Sequence, residues 1–288
     1  MAAEPTADAR ALLLELIEAA NRRDIIPARL PGQLEAILEA MKAEPPTPVA
    51  PAATGDIGAI LKEQADVISH AIHDLRLPLT SIKGYSDMMG NMGPLNDMQQ
   101  QFLTTIRTNT KRLESLLMDV SDIMKIRGRT LHIAPKMDMV KNILGTVEKR
   151  TRPLAEELKR TLTFDIPTGL PILNVDGEVL SKALIKLVEN ALRYIAAEAG
   201  EVIVSVVGEG DNLRVTIRDN GIGMSPEELA KLGTIYYRGD NEVVLAFKGS
   251  GLGIPVAYGI IDLLGGRVQV ESQPGQGSTF TVELQGVS

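Results

Sequence analysis

Two heptad runs separated by a glycine-containing break set the strongest limit on what this chain can fold into. The first passes through Ile57, Leu61, Gln64, Ile68, Ala71, Leu75, Pro78, Ile82, Tyr85 and Met89, in steps that alternate between four and three. That spacing lays one stripe of small or apolar side chains along a helix. Gln64 and Pro78 are its irregular members, and Pro78 is expected to kink the helix and free a carbonyl one turn earlier. Gly90-Asn91-Met92-Gly93-Pro94 breaks the pattern. The second run is Phe102, Ile106, Asn109, Leu113, Leu116, Val120 and Ile123, ending near Arg127-Gly128. Two long amphipathic helices with a short connection make a hairpin. One hairpin cannot cover both of its apolar stripes, whereas two copies paired into a four-helix bundle can.

Upstream, residues 8–22 and roughly 31–42 have helical patterning. Between Pro45 and Pro51, four prolines in seven residues exclude helix and central strand, so 44–55 reads as a semi-rigid linker. Residues 1–43 carry no recognisable chemistry. Downstream of Gly128 the texture becomes α+β. Short strands are expected at Thr130–Ile133 and Thr161–Ile166, and helices at Met137–Arg160, Gly177–Ala197 and Leu252–Leu264. Paired strands are expected at Glu201–Val207 and Leu213–Arg218, turning at Gly208–Asp211, and a closing hairpin at Gly266–Ser272 and Ser278–Leu284.

Composition removes several function classes. The 288 residues carry 30 Lys+Arg against 37 Asp+Glu, a formal charge of −7, which is a poor match to a phosphate backbone. With no Trp, four Phe and five Tyr, a base-stacking platform is not available either. The absence of Cys removes thiolate nucleophiles and Cys-ligated zinc, and fits a reducing compartment. No apolar stretch reaches the roughly 18 residues of a membrane span, and the acidic N-terminus is unlike a signal peptide. The expectation is a soluble, cytoplasmic chain.

Five short motifs carry candidate chemistry. His73-Asp74 lies on the first heptad helix, at a phase that turns His73 away from the seam. A solvent-facing imidazole beside a carboxylate is a usable nucleophile, because Asp74 can hold one ring nitrogen protonated while the other attacks. An ordinary surface histidine looks the same locally, and His70 with His73 share a face that zinc could use only with distant carboxylates. Asn190, with Arg193 and Tyr194 after it, is polar on an otherwise apolar helix. Its amide oxygen suits a hard cation and also suits a backbone cap. Asp219-Asn220-Gly221-Ile222-Gly223 follows a strand, and its glycines permit close backbone approach. Gly249-Ser250-Gly251-Leu252-Gly253 runs into a helix, where free N–H groups suit phosphate oxygens. It lacks both the dinucleotide-fold spacing and the P-loop ending. Gly275-Gln276-Gly277-Ser278-Thr279-Phe280 opens the last strand.

Taken in order, these five motifs resemble the boxes of the sensor histidine kinases of two-component systems, within the gyrase- and Hsp90-type ATPase superfamily, over about residues 56–288. The resemblance implies a dimerisation and phosphoacceptor domain at 56–128, a helical hairpin forming a dimeric four-helix bundle. It implies an α/β sandwich ATP-binding domain at 129–288. His73 would accept the γ-phosphoryl group of ATP, with Asp74 as acid/base partner, and pass it to an Asp of a response-regulator receiver on a separate chain. Asn190 would ligate Mg²⁺. Asp219 would accept the adenine amino group, with Gly221 and Gly223 shaping the base pocket. Gly249, Gly251, Leu252 and Gly253 belong to the phosphate cradle, and Arg193, Tyr194, Arg238, Lys248 and Thr279 complete the nucleotide contacts. Residues 225–250 would be a mobile lid.

Three positions depart from that pattern. Leu77 stands four residues after His73, where the family usually has Thr or Asn. Leu cannot hydrogen-bond a water, so phosphatase activity toward the receiver is expected to be weak or absent. Lys186 stands four residues before Asn190, where a second Asn is common. It either contacts phosphate directly or weakens Mg²⁺ binding. Tyr236-Tyr237-Arg238 is a reduced version of the aromatic lid box. These departures keep a second expectation open: a degenerate kinase acting as a dimeric ATP-binding scaffold. A serine kinase or chaperone-like ATPase of the same superfamily would leave the His73 box unexplained.

Overall fold

The computed structural model describes residues 57–285 apart from 197–198, 210–211 and 248; side chains at 57–67, 69, 70 and 209 are also outside it. The expected helices at 8–22 and 31–42, the proline linker and Lys248 therefore fall outside the described residues, as does the side chain of His70. The described residues belong to one compact unit, Ile57–Ser288.

Helices α1 (Ile57–Asn91) and α2 (Asp97–Arg127) form the expected hairpin, here called the stem. α1 runs through Pro78 without breaking. α2 starts on a reciprocal cap: Asn96 Oδ1 accepts the Gln99 N–H at 2.9 Å, and Gln99 Oε1 accepts the Asn96 N–H at 3.0 Å. The inner contact is not the predicted seam. Ile72, Leu79 and Ser86 on α1 and Leu103 and Thr110 on α2 are buried, each set spaced by seven. The predicted stripe lies one residue around the helix, and Leu75, Ile82, Tyr85, Met89, Phe102 and Leu113 remain exposed. The apolar sector is wider than one partner helix can cover, so the hairpin buries one edge and leaves the other to solvent. Polar contacts fix the register, with Lys83 Nζ 3.2 Å from Glu114 Oε2 and Arg107 Nη2 3.1 Å from Asp87 Oδ1.

After the stem come β1 (Lys136–Met139), α3 (Val140–Glu157), β2 (Thr161–Asp165), β3 (Ile172–Val175), α4 (Gly177–Arg193), β4 (Glu201–Glu209) and β5 (Asn212–Asp219). Two short helices follow, α5 (Pro226–Lys231) and α6 (Glu242–Ala246), then α7 (Gly253–Leu263), β6 (Arg267–Ser272) and β7 (Ser278–Gln285). The main sheet has the order β2-β4-β5-β7-β6, with only the β2–β4 pair parallel. Its residues alternate: Val202, Val204, Val206, Leu213, Val215, Ile217, Phe280, Val282 and Leu284 are buried, and their neighbours are less so. The buried face is covered by helices. α4 is the centre, with Leu180, Leu184, Leu187, Val188, Ala191 and Leu192 all at 1% exposure or less. Side chains of that size each contribute roughly 1.5–3 kcal/mol when fully buried. Asp176 starts α4, its Oδ1 accepting the N–H groups of Glu178 and Val179, both at 3.1 Å.

Three local expectations are corrected. Thr130–Ile133 is not a strand; the strand begins at Lys136 and pairs antiparallel with β3, a short segment behind Pro171 that was not expected. The helix expected to reach Ala197 stops at Arg193, because the Tyr194 carbonyl turns to accept the Ile222 N–H at 3.0 Å. The following paired strands run slightly longer than expected, meeting Glu209 with Asn212.

The far end of α2 packs on the α/β sandwich. Ile123 joins its core. A Cβ at Gly259 of α7 would stand 2.6 Å from Ile126 Cγ2, so glycine makes the notch that seats α2. Two ion pairs flank this contact: Lys182 Nζ to Asp122 Oδ2 at 2.5 Å, and Lys186 Nζ to Asp119 Oδ1 at 2.6 Å.

Candidate functional site

The last turn of α4, the end of β5 and the three glycine loops converge on one cavity of about 750 Å³. Asn190, Arg193, Tyr194, Asp219, Gly223, Arg238, Gly249, Gly251 and Gly253 all line it. Lys186, expected from the sequence beside phosphate or metal, lines it as well, as do Ser278 of the fifth motif and Asp119, and only Asp119 had no expected place in the site.

Asp219 is the buried charge. Its Oδ1 accepts the Gly221 N–H at 2.8 Å and the Ser278 N–H at 3.1 Å. Burial pushes its carboxyl up to about 6 against the pull of those two donors. The first and third glycine loops are sewn together around it. The Gly275 N–H donates to the Ile222 carbonyl at 2.7 Å, and the Ser272 hydroxyl bridges the Met224 N–H and the Gly277 carbonyl. Glycine is required where these loops touch. Gly223 sits at φ +65°, and a Cβ there would run into the Gln273 carbonyl oxygen.

The second glycine loop delivers Gly253 as the first residue of α7, so the unpaired N–H groups of that helix open toward the cavity. Leu252 caps that helix but turns into the core, at 1% exposure. Gly221 does not line the cavity either; it serves through the backbone N–H on Asp219. Thr279 stands one residue outside the lining, paired with Arg218 and Glu271 in the sheet, and its neighbour Ser278 takes the place.

Arg193 is held by Glu189 at 3.0 Å. Arg238 lines the cavity, yet its Nη2 donates to the carbonyls of Val244 and Phe247, so it staples α6 over the site. Phe247 meets the Tyr194 ring edge-on at 6.2 Å, which supplies an aromatic lid contact the Tyr236-Tyr237-Arg238 reading had overlooked. His73 and Asp74 do not line the cavity. They lie on α1 with side chains 69% and 81% exposed and with Asp74 Oδ1 3.6 Å from His73 Nδ1.

The donor set can be tested against a metal. Among the described residues no three His, Asp or Glu side chains group closely enough to hold one. Asn190, which lines the cavity, carries a single amide oxygen. That poverty of protein ligands fits Mg²⁺, which takes one or two protein oxygens and completes its shell with phosphate and water.

Residues 175–287 match the histidine kinase-, DNA gyrase B-, and HSP90-like ATPase family, and residues 63–129 match the His Kinase A phospho-acceptor domain. These are the two domains of a sensor histidine kinase. The histidine protein kinase DivJ of Caulobacter vibrioides is 29% identical over 231 residues, covering 80% of this chain and 38% of DivJ. The circadian input-output histidine kinase CikA of Synechococcus elongatus is 30% identical over 216 residues, covering 73% of this chain and 28% of CikA. The chain thus spans well under half the length of those curated relatives. Its fold matches full-length ShkA, solved with AMPPNP, at a TM-score of 0.63 and 22% identity, over 77% of this chain and 46% of ShkA. It also matches the Acinetobacter baumannii histidine kinase AdeS at 0.53 and 22%, over 75% of this chain and 98% of AdeS.

Proposed function

We propose that this chain is an ATP-dependent protein-histidine kinase that phosphorylates His73 and passes the phosphoryl group to an Asp of a separate response regulator. The observation that carries this reading is the pairing of a buried, doubly donated carboxylate in a glycine-walled cavity with an exposed His–Asp pair on the stem. Asp219 receives the adenine amino group. The α7 N-terminus and Gly249, Gly251 and Gly253 hold the phosphates, with Arg193 and Tyr194 beside them. Bound Mg²⁺ supplies charge neutralisation on the triphosphate, and Asn190 holds it.

At His73, Asp74 keeps the proton on Nδ1, which leaves the Nε2 lone pair free to attack the γ-phosphorus. The N–P bond forms as the bond to the β-bridging oxygen breaks, ADP leaves, and Asp74 balances the imidazolium charge. Positioning and electrostatics supply most of the rate in phosphoryl transfer. His73 lies outside the cavity, so transfer brings the cavity mouth to an α1 helix of the same or a second chain.

The exposed stripe of Leu75, Ile82, Tyr85, Phe102 and Leu113 supports homodimerisation as a four-helix bundle through residues 56–128. Residues 129–288 then form the ATP-binding domain. Leu77, exposed and without a hydrogen-bonding group, supports weak or absent phosphatase activity. No helix of the described residues is long and apolar enough to cross a membrane, and the chemistry proposed suits the cytoplasm, where ATP and receivers are found.

The test is incubation with γ-labelled ATP and Mg²⁺, wild type beside His73→Gln and Asn190→Ala. Acid-labile, base-stable label that both variants lose is the expected result. Label retained in His73→Gln overturns the assignment of the acceptor. ATP binding without label in an activated wild type favours the scaffold.

A further inference from the structure

Lys186 stands between two anion positions and has one charge to give. It lies on α4 one turn before Asn190 and lines the cavity with its side chain only 17% exposed. Its Cδ is 3.8 Å from where a Cβ on Gly253 would stand, so the chain runs beside the first turn of α7. The positive end of that helix and the lysine therefore face the same space. The anion paired with the lysine there is Asp119, which reaches across from α2 with its side chain 7% exposed. Burial raises the Asp119 carboxyl and the Lys186 ammonium pulls it back down, with a net rise. Lys186 is the cation that contacts Asp119 directly, with Lys182 adding a weaker pull from one turn away. Lys182 and Asp122 form a second pair one turn away, outside the cavity lining, and need no such sharing.

We propose that Lys186 is a phosphate-binding residue whose ammonium is held by Asp119 of the stem until a nucleotide arrives. A di- or triphosphate carries more charge than a carboxylate and approaches along the helix end that already favours anions. Its arrival draws the ammonium off Asp119, and the stem loses its buried ion pair while Lys182–Asp122 remains as a tether. Nucleotide binding and stem docking thus compete for one group, and by linkage each weakens the other equally. The inference rests on reading the cavity as a nucleotide site.

The test uses the full chain, with ADP and adenosine as separate probes in calorimetry. The variants are Asp119→Asn, Lys186→Gln and the two together, the last being a neutral pair of similar shape that does not strand a buried charge. Freeing the lysine in Asp119→Asn is expected to tighten ADP about fivefold, and Lys186→Gln to weaken it about tenfold. The double variant should match Lys186→Gln, and adenosine, which has no phosphate, should bind all four proteins alike. Amide exchange over residues 116–123 should quicken when ADP is added to wild type and should already be quick in Asp119→Asn.

Equal ADP affinity in wild type and Asp119→Asn overturns the competition. Equal ADP affinity in wild type and Lys186→Gln overturns the phosphate contact. Adenosine affinities that move in step with those of ADP overturn both, because the pocket has then been deformed rather than discharged. Failure of wild type to bind either probe is a different result and removes the nucleotide reading itself.

Discussion

Oδ1 of Asp219 accepts the backbone N–H of Ser278 across 3.1 Å, joining the last residue of β5 to the first of β7. Gly221 donates to the same oxygen at 2.8 Å, so the second oxygen is left for what enters the cavity. One carboxylate both closes two loops and presents an acceptor.

A pH dependence follows from its burial. The folded carboxyl titrates at about 6 against an ordinary 3.8. A raised value means the folded state prefers the protonated form, so the associated stability is full below about pH 4 and is lost as pH rises through about 6. Asp219→Asn keeps an acceptor oxygen and removes the charge. Its melting temperature should exceed that of wild type at pH 8, by the equivalent of roughly 2–3 kcal/mol at most, and match it at pH 4. Adenosine affinity in wild type should fall as pH drops below about 6, since a protonated carboxyl no longer accepts fully. A flat affinity between pH 5 and 8 would count against Asp219 as the base acceptor.

Two glycines with similar backbones should respond differently to alanine. Gly223 and Gly275 have φ of +65° and +76°, but a Cβ at Gly275 meets nothing within 4 Å, whereas one at Gly223 meets the Gln273 carbonyl. Gly275→Ala should cost about 1 kcal/mol from backbone strain alone. Gly223→Ala should cost several times more and abolish ADP binding. Denaturant melts and calorimetry on both variants separate strain from collision.

The exposed stem stripe makes its own prediction. Ile82→Asp, or Leu113→Asp, places a charge on the face proposed to meet a second copy. Light scattering should show wild type at twice the chain mass and either variant at the chain mass. Helix content should change little, because neither residue is buried within the hairpin. A dimer that survives both changes would place the interface elsewhere.

Leu77 supports a fourth expectation. A receiver domain phosphorylated by this chain should lose its phosphate at the same rate with and without the kinase present. Leu77→Thr restores a hydroxyl at an exposed position on α1 and should shorten that lifetime. Faster loss with the wild-type kinase would refute the reading.

The elements around the site were legible where local chemistry fixes them. Asp176 caps α4, alternating valines mark β4, and glycines at forced backbone angles mark the loops. What was not legible depended on distant partners. The stem stripe is off by one residue because its apolar sector is wider than one helix covers, and periodicity alone cannot say which edge is buried. β3 is four residues behind a proline, made a strand only by β1. Asp119 and Asp122 look like surface charges on an amphipathic helix, and only docking of α2 against α4 buries them with Lys186 and Lys182. Ser278 contributes a backbone N–H, which no side-chain pattern advertises.

The notch at Gly259 has a mechanical consequence. α2 has 31 residues, a rod of about 45 Å, and its last turn is wedged against α7 through Ile126. α7 begins at Gly253, on the cavity wall. A torque applied at the far end of the rod therefore arrives at the cavity through two rigid bodies in direct contact, without crossing the sheet. Enlarging that notch residue to alanine or valine would push the rod off its bearing and, through α7, shift the cavity wall without changing any group that lines it.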